Sequence, residues 1–432
     1  MRPRATLLAL LAGWGLLGVP VVIGIWSHWI WWAIGAGVAL IALVDLLRLR
    51  GQPSPSVHRE LPESLALNVE REATLRLESS RHQRVEVFDL VPGGWSLQGL
   101  PRSLALKPMV TSSVAYRLTP TARGRFVFEG VHLRMHSAWR LWHQRRQLPP
   151  ALAVRVYPNF APLTRFALFS AEQASRLVGA HLKRRRGEGT DFHQMREYRV
   201  GDSLRQVDWK ATARARKLIS REYQDEKNQQ LVLMIDTGRR MMASEGGLSH
   251  FDHVLNAALV VSYLALRQGD GVGLLAAGGE SRWVAPKRGM GTIDTLLRAS
   301  YDLQAQPVAT DYLAAATELS LRQRRRSLVM LVTNVRDEDI EDLLAAVRLL
   351  QRQHLVCVAS LRERELDDAL SQPVETLQDA AQAGAIARYL QQRSDAHDAL
   401  RSHRVMVLDV TAEALPGALV ERYLAVKRDG LL

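Results

Sequence analysis

The chain has 432 residues, with 57 Lys and Arg against 44 Asp and Glu and a formal net charge of +13. That length holds two or three domains with proper cores, and the single cysteine, Cys357, excludes an internal disulfide. The positive charge is spread over the whole sequence, with no aromatic-interleaved basic face and no recognised nucleic-acid motif. This argues against specific nucleic-acid binding and suits a body beside an anionic membrane surface.

The first 50 residues predict a two-span membrane hairpin. Residues 5–26 and 29–44 are apolar and uncharged, with only Ser27 and His28 between them. Each run approaches the length of about 20 residues needed to span a bilayer. Together they exceed a signal peptide, and no clear small-residue cleavage site follows the first. Trp26, Trp29, Trp31 and Trp32 gather at the turn, where an interfacial aromatic belt would sit. Arg2 and Arg4 precede the pair, while Arg48 and Arg50 follow it, which puts both outer ends in the cytoplasm. A bent hairpin that only dips into the bilayer is the competing reading. Asp45, three residues before Arg48, reads as a paired anchor rather than a proton-relay group.

Residues 51–160 predict a small antiparallel β-sandwich of immunoglobulin-like type. Residues 73–78, 85–90, 113–118 and 126–129 alternate apolar with polar side chains, and Pro92-Gly93-Gly94 and Arg123-Gly124 supply turns. Pro158 closes the last strand.

Residues 161–228 form a linking segment with an unusual polar stretch. From Arg186 to Arg214 it mixes acids, arginines, a Tyr and a Trp with little helical apolar stripe. Arg196, Arg205 and Arg214 can each fork onto a carboxylate, with Glu188, Asp202 and Asp208 as available partners. Tyr198, Gly201 and Trp209 complete the set. A salt-bridged solvated surface is the plain alternative.

Residues 229–432 alternate strands and helices, which predicts a doubly wound, mostly parallel sheet. The strands fall at residues 231–236, 272–277, 327–333, around Cys357 and at 405–409, with 283–285 as a short hairpin partner. Helices are expected over residues 252–267, 292–303, 312–324 and 338–352, followed by a longer helical region and a terminal helix. Ligands of such sheets gather at the carboxyl ends of the strands, which directs attention to Asp236, Thr310 and Asn334. Cys357 lies in an apolar run and reads as inert core.

Those positions resemble a von Willebrand factor A domain. That fold places Asp-x-Ser-x-Ser after its first strand, a Thr in a later loop and an Asp after the fourth strand, to bind a divalent cation. Here Gly238 and Arg240 stand in the two serine positions, Thr310 fits the Thr, and Asn334 replaces the Asp. The resemblance, with these departures, implies a fold that binds no metal and uses no cofactor. A guanidinium, that of Arg240, is expected close to where the cation would lie.

The chain as a whole resembles the bacterial domain-of-unknown-function family 58. The match runs through Gly187, Glu188-Gly189 with a one-residue shift, Arg196, Tyr198, Gly201, Asp202, Arg205, Asp208-Trp209-Lys210, Ala213 and Arg214, with Val207 for the usual Ile and Arg221-Glu222 continuing it. The resemblance implies an inner-membrane anchor, a β-domain and a von Willebrand A-like domain. It also implies work with a MoxR-type AAA+ ATPase and other von Willebrand A proteins in envelope-associated assembly or stress functions, and no enzymatic activity.

The function expected is therefore that of a membrane-tethered, non-catalytic interaction protein. The signature residues act either as an interface or as a latch onto their own domain. A hydrolase using Asp202, Asp208 and His193 is a second reading, although nucleophile elbow, phosphate loop and clustered metal ligands are all lacking from the sequence. Nucleic-acid binding through the basic runs 183–186 and 322–326 is a third.

Overall fold

The computed structural model describes residues 1–149, 151–164, 191–199, 204–224 and 229–432. It divides into two compact units, Met1–Tyr157 and Pro158–Leu432.

In the first unit, strand β1 (Arg2–Pro3) leads into helices α1 (Ala5–Leu16), α2 (Val19–Val22) and α3 (His28–Arg50). Pro20 stands at the start of α2, where its missing N–H costs nothing. By length and composition both segments, Ala5–Val22 and His28–Arg50, can cross a membrane, with mean hydropathies of 2.0 and 2.1. Few of their residues are buried by protein. Arg48 and Arg50 occupy the last turn of α3, where they oppose the negative end of the helix dipole. The helices are joined by a reciprocal pair of bonds. Trp14 Nε1 donates to the Trp31 carbonyl at 3.1 Å, and Trp31 Nε1 donates to the Trp14 carbonyl at 2.9 Å. The two rings stack at 4.5 Å. Gly35 is required beneath them, since a Cβ there would stand 2.6 Å from the Trp14 ring.

The strands that follow are β2 (Ser56–Glu60), β3 (Ser64–Ala66), β4 (Arg71–Glu78), β5 (Gln83–Asp89), β6 (Ser96–Gln98), β7 (Arg102–Leu106), β8 (Ser112–Thr119), β9 (Gly124–Phe128), β10 (Val131–His136), β11 (Trp142–Leu148) and β12 (Leu152–Tyr157). They form a four-stranded sheet β2-β4-β8-β6, a five-stranded sheet β1-β11-β10-β5-β7 and a three-stranded sheet β3-β12-β9. One pair departs from the expected antiparallel pattern, because β12 runs parallel to β3.

Alternation along β4, β5, β8 and β10 sends Leu75, Leu77, Val85, Val87, Val114, Leu118, Leu133 and Met135 into the interior. A buried ion pair ties the four-stranded to the five-stranded sheet. Arg59 reaches across to Asp89 with Nε at 2.9 Å and Nη2 at 2.5 Å, and Tyr116 OH donates to the same carboxylate. Both charged side chains are fully buried, and the Arg59 guanidinium lies 4.7 Å over the Phe128 ring.

Asp45 is also buried, but its partner is not Arg48. Its oxygens accept the backbone N–H groups of Trp139 at 3.2 Å and Leu141 at 3.4 Å, while Arg48 stacks over the Trp139 ring. Trp142 Nε1 donates to the Ala42 carbonyl at 2.9 Å. The foot of α3 is thereby fastened to the β10–β11 turn.

The second unit contains β13 (Asp191–Glu197), α4 (Trp209–Ala215), β14 (Ile219–Gln224), β15 (Gln230–Asp236), β16 (Ser244–Glu245), β17 (Leu248–Ser249), α5 (His250–Arg267), β18 (Gly271–Ala277), β19 (Arg282–Lys287), α6 (Gly291–Ser300), α7 (Tyr312–Arg322), β20 (Leu328–Thr333), α8 (Ile340–Gln351), β21 (Leu355–Arg362), α9 (Arg364–Ser371), α10 (Leu377–Ser402), β22 (Met406–Thr411) and α11 (Leu415–Arg428). Its main sheet has the order β19-β18-β15-β20-β21-β22, parallel except for the edge strand β19. Strands β15, β18, β20 and β21 are buried on both faces, which explains their unbroken apolar runs. One core, with Phe251, Leu255, Leu259 and Tyr423, covers one face; another, with Tyr312, Leu319, Leu343 and Val347, covers the other. Cys357 sits inside this sheet, and burial pushes its thiol up to about 12, so it stays an unreactive thiol.

Candidate functional site

Parallel topology brings the carboxyl ends of β15 and β20 side by side, and with them Asp236 and Thr333. Asp311 caps α7 by accepting the Ala314 N–H at 2.7 Å, and this start of the helix presents Thr310 and Tyr312 to the same point. Four donors converge on the Asp236 carboxylate. Oδ1 accepts from the Gly238 N–H at 2.7 Å and the Thr310 hydroxyl at 2.5 Å. Oδ2 accepts from the Thr333 hydroxyl at 2.6 Å and the Tyr312 hydroxyl at 3.0 Å. Burial, and then the charge of Asp236, hold the Tyr312 phenol well above its ordinary value, so it remains a donor.

A carboxylate has about four lone-pair positions, and here all are taken. A cation would have to displace these hydroxyls. Nor could Asp236 accept a proton from a substrate without breaking the cluster. The loop after it is held as firmly: Thr237 Oγ1 donates to the Ala277 carbonyl, Gln306 N–H to the Thr237 carbonyl and Arg239 N–H to the Val308 carbonyl. A Cβ at residue 238 would collide with the Thr310 hydroxyl.

Arg240 does not approach Asp236 as expected. It turns to α8's leading turn, with Nη2 at 2.6 Å from Glu338 and Nε at 3.1 Å from Asp339. Those two hydrogen bonds hold its guanidinium in the charged form against burial. The donor set therefore does not fit a divalent cation, and among the described residues no group of three or more His, Cys, Asp or Glu is arranged to hold one.

Asn334 joins a different cluster. Arg393 of α10 is 2% exposed, and its Nη1 donates to Asn334 Oδ1 at 2.7 Å. Its Nη2 reaches Ser360 Oγ at 2.6 Å, the Leu361 carbonyl at 2.8 Å and Asp409 Oδ1 at 2.9 Å. Glu363 accepts from Asn334 Nδ2 at 2.8 Å and from Arg336 at 3.1 Å, and Arg336 covers the Tyr389 ring. His397 stands beside Asp409; burial, and then the Arg393 charge, push it down to about 4. The hub pins the ends of β20, β21 and β22 to α10. Nothing distinguishes Arg393 in sequence from the other arginines of its helix.

The signature residues are only partly brought together. Glu188, Gly201 and Asp202, like the basic run 183–186, lie outside the described residues. Arg205 belongs to the short turn Leu204–Gln206, and His193 to β13. Arg196 donates to the Glu197 carbonyl at 3.1 Å, Tyr198 N–H bonds the Leu218 carbonyl, and Arg214 is exposed in the last turn of α4.

Asp208 is different. It caps α4 through the Ala211 N–H at 3.0 Å and takes both Nε and Nη2 of Arg221, at 2.8 and 2.7 Å. Its partner is thus Arg221, not Arg196 or Arg214. The backbone bond to Ala211 first, and the Arg221 bonds next, hold the Asp208 carboxyl below the usual carboxylate range. This fixes the start of α4 on the β13–β14 ribbon, where Val207 is buried and Trp209 remains 65% exposed. Leu204, at 66%, and Met195, at 52%, are also open.

Residues 194–405 match the family described as a protein of unknown function, DUF58. Uncharacterized proteins of Mycobacterium bovis and Mycobacterium tuberculosis are 26% identical over 161 residues, which is 37% of this chain and 51% of theirs. The chain thus spans about half the length of the curated relatives it matches. Among solved structures, it is similar to the conserved hypothetical protein BatB of Bacteroides thetaiotaomicron, at 11% identity and a TM-score of 0.29 over 46% of this chain and 99% of that one. An aerotolerance-related membrane protein of Bacteroides fragilis matches at 15% identity and a TM-score of 0.27, over 45% of this chain and 97% of that one.

Proposed function

We propose that this chain, a member of the DUF58 family through residues 194–405, is a membrane-tethered, non-catalytic adaptor whose α/β unit is a von Willebrand A-like domain with a closed metal position. One observation carries the reading. Asp208 is consumed internally by the α4 cap and by Arg221, while the adjacent Trp209 is held on a fixed helix start and left open to solvent. A rigid, exposed Trp beside arginines is the type of group that anchors protein interfaces. Latch and interface are then two jobs divided between neighbouring residues.

Two features support the tether. The apolar segments Ala5–Val22 and His28–Arg50 are long enough to span a bilayer, and both outer ends of the hairpin are fastened to one β-domain. Such a hairpin leaves and returns on the same side, and the arginines at its ends favour the cytoplasm of a bacterial inner membrane. The β-domain, with two sheets facing each other across Arg59 and Asp89, is in this reading an immunoglobulin-like spacer. The partner class we carry forward is a MoxR-type AAA+ ATPase, together with other von Willebrand A proteins.

The test is photocrosslinking from position 209 in native membranes, followed by identification of the captured protein. Capture of a AAA+ ATPase from position 209, together with loss of its co-purification with the otherwise unaltered chain on Trp209→Ala in a variant that still folds, supports the proposal. Identical capture from position 209 and from a distant exposed site such as Leu321 would sink it.

A further inference from the structure

The outer face of the five-stranded sheet carries an unbalanced concentration of cationic residues. Register sets Arg134 opposite Arg145, His136 opposite His143, and Arg2 opposite His143. In the Arg134–Arg145 pair like charges stand directly opposite each other, which destabilises a sheet. Only Glu86, opposite Arg134, relieves this, and it is committed to Arg134 Nη1 at 2.7 Å.

Two adjoining clefts open on this face. One, of about 810 Å³, is lined by Arg4, Arg84, His136 and Arg140 among others and by no carboxylate. The other, of about 470 Å³, shares Arg4 and His136 and adds Arg134, His143 and Glu86. Among the described residues, Arg4, Arg84 and Arg140 have no carboxylate within ion-pair distance, and the buried Nδ1 of His136 has no hydrogen-bond partner. Burial first, and then the neighbouring arginines, hold His136 and His143 below their ordinary value, so both offer neutral N–H groups in a positive field. The first turn of α1, which begins beside Arg4, has neither an acidic residue nor a side-chain cap, so its dipole adds to that field.

Position identifies the ligand. Arg4 is the last residue before the apolar run of α1, and Gln52, which lines the larger cleft, lies two residues beyond the end of α3. Resting on the membrane reading above, this sets the clefts at headgroup level on the side to which the hairpin returns. We propose that they form a binding site for the phosphodiester of an anionic phospholipid headgroup. Arg4, Arg84 and Arg140 supply charge-assisted bonds, and His136 supplies a neutral donor. A volume of about 810 Å³ is of the size that takes a headgroup.

The experiment uses the full chain purified in detergent, with native mass spectrometry to compare short-chain phosphatidylglycerol, short-chain phosphatidylcholine and inorganic phosphate. The wild type should retain phosphatidylglycerol in preference to both. Arg84→Gln with Arg140→Gln, both at exposed positions, should weaken that retention by about tenfold or more with an unchanged melting curve. Equal retention of the two lipids, or no change in the double variant, overturns the site. Inorganic phosphate that competes as well as phosphatidylglycerol overturns the lipid assignment. Carbonate extraction of membranes separates this from the tether itself: release of the wild type would overturn the anchor, whereas the double variant should stay membrane-bound like the wild type.

Discussion

Thr310 occupies the space that a side chain at Gly238 would need, and its hydroxyl donates to Asp236 at 2.5 Å. The position beside Asp236 is therefore closed by packing as well as by the four hydrogen bonds that fill its carboxylate. A serine at position 238 alone should not create a metal site.

Gly238→Ser is expected to destabilise the α/β unit by about 1–3 kcal/mol, the usual cost of overpacking. Thr310→Ala in the same background should recover part of the loss by making room. Thermal melts of the full chain with and without Mg²⁺ check this. A melting temperature that rises with Mg²⁺ in the single variant would refute the closed-site account.

Asp208→Ala should loosen α4 without unfolding the sheet, because the carboxylate serves a cap and one Arg. Hydrogen exchange in residues 209–215 should quicken. Trp209→Ala should change global stability by no more than about 0.5 kcal/mol, as for an ordinary surface substitution. The Asp208 carboxyl is depressed in the fold, so its contribution is complete above the unfolded carboxylate value and fades as pH falls through the lower folded one. Protection of α4, measured against the intrinsic exchange rate at each pH, should therefore fall in the wild type as the Asp208 carboxyl protonates on acidification.

Arg393→Met should cost about 3 kcal/mol, since it leaves the buried Asn334 Oδ1 and Ser360 without their donor and the partly exposed Asp409 without its closest cation. Arg393→Lys should recover little, because one ammonium cannot reach Asn334, Ser360, Leu361 and Asp409 together. Denaturant unfolding of the two variants tests this. Equal stability of Lys and Arg would show that charge alone matters.

His397 lies at about 4 against an ordinary 6.5. The unfolded chain takes up this proton below about pH 6.5, whereas the fold resists it until about pH 4. Stability from this group is complete above that window and declines on acidification through it. His250 and His354, lowered mainly by burial, act in the same direction. His397→Asn should make the fall in melting temperature between pH 7 and pH 4 shallower, with His136, His143, His250 and His354 left to carry the rest. An unchanged slope would remove His397 from the account.

Parallel strands such as β15 and β20 are legible because burial on both faces writes itself as an unbroken apolar run. Asp236 is legible as the acid that ends such a run, whereas Thr310 is singled out only through the resemblance to a von Willebrand A domain. The partners that complete the cluster are not legible. Tyr312 and Thr333 stand 76 and 97 residues from Asp236, and only the strand order and the start of α7 bring them there. Asp45 misleads in the same way, because its nearest basic neighbour in sequence is not its partner in space. Backbone N–H groups, which bind it instead, leave no mark in a sequence. Arg221 was visible as a continuation of the signature, but not as the group that takes Asp208.

The reciprocal bonds between Trp14 and Trp31 fix the stagger of the two apolar segments, since sliding either one would break both indole contacts together. A hairpin locked in this way has no telescoping motion. If the pair spans a bilayer, as proposed, a thinner bilayer would tilt it as a single strut, and the β10–β11 turn clamped to Asp45 would swing with it. Bilayer thickness would then set the angle at which the β-domain is held out from the surface.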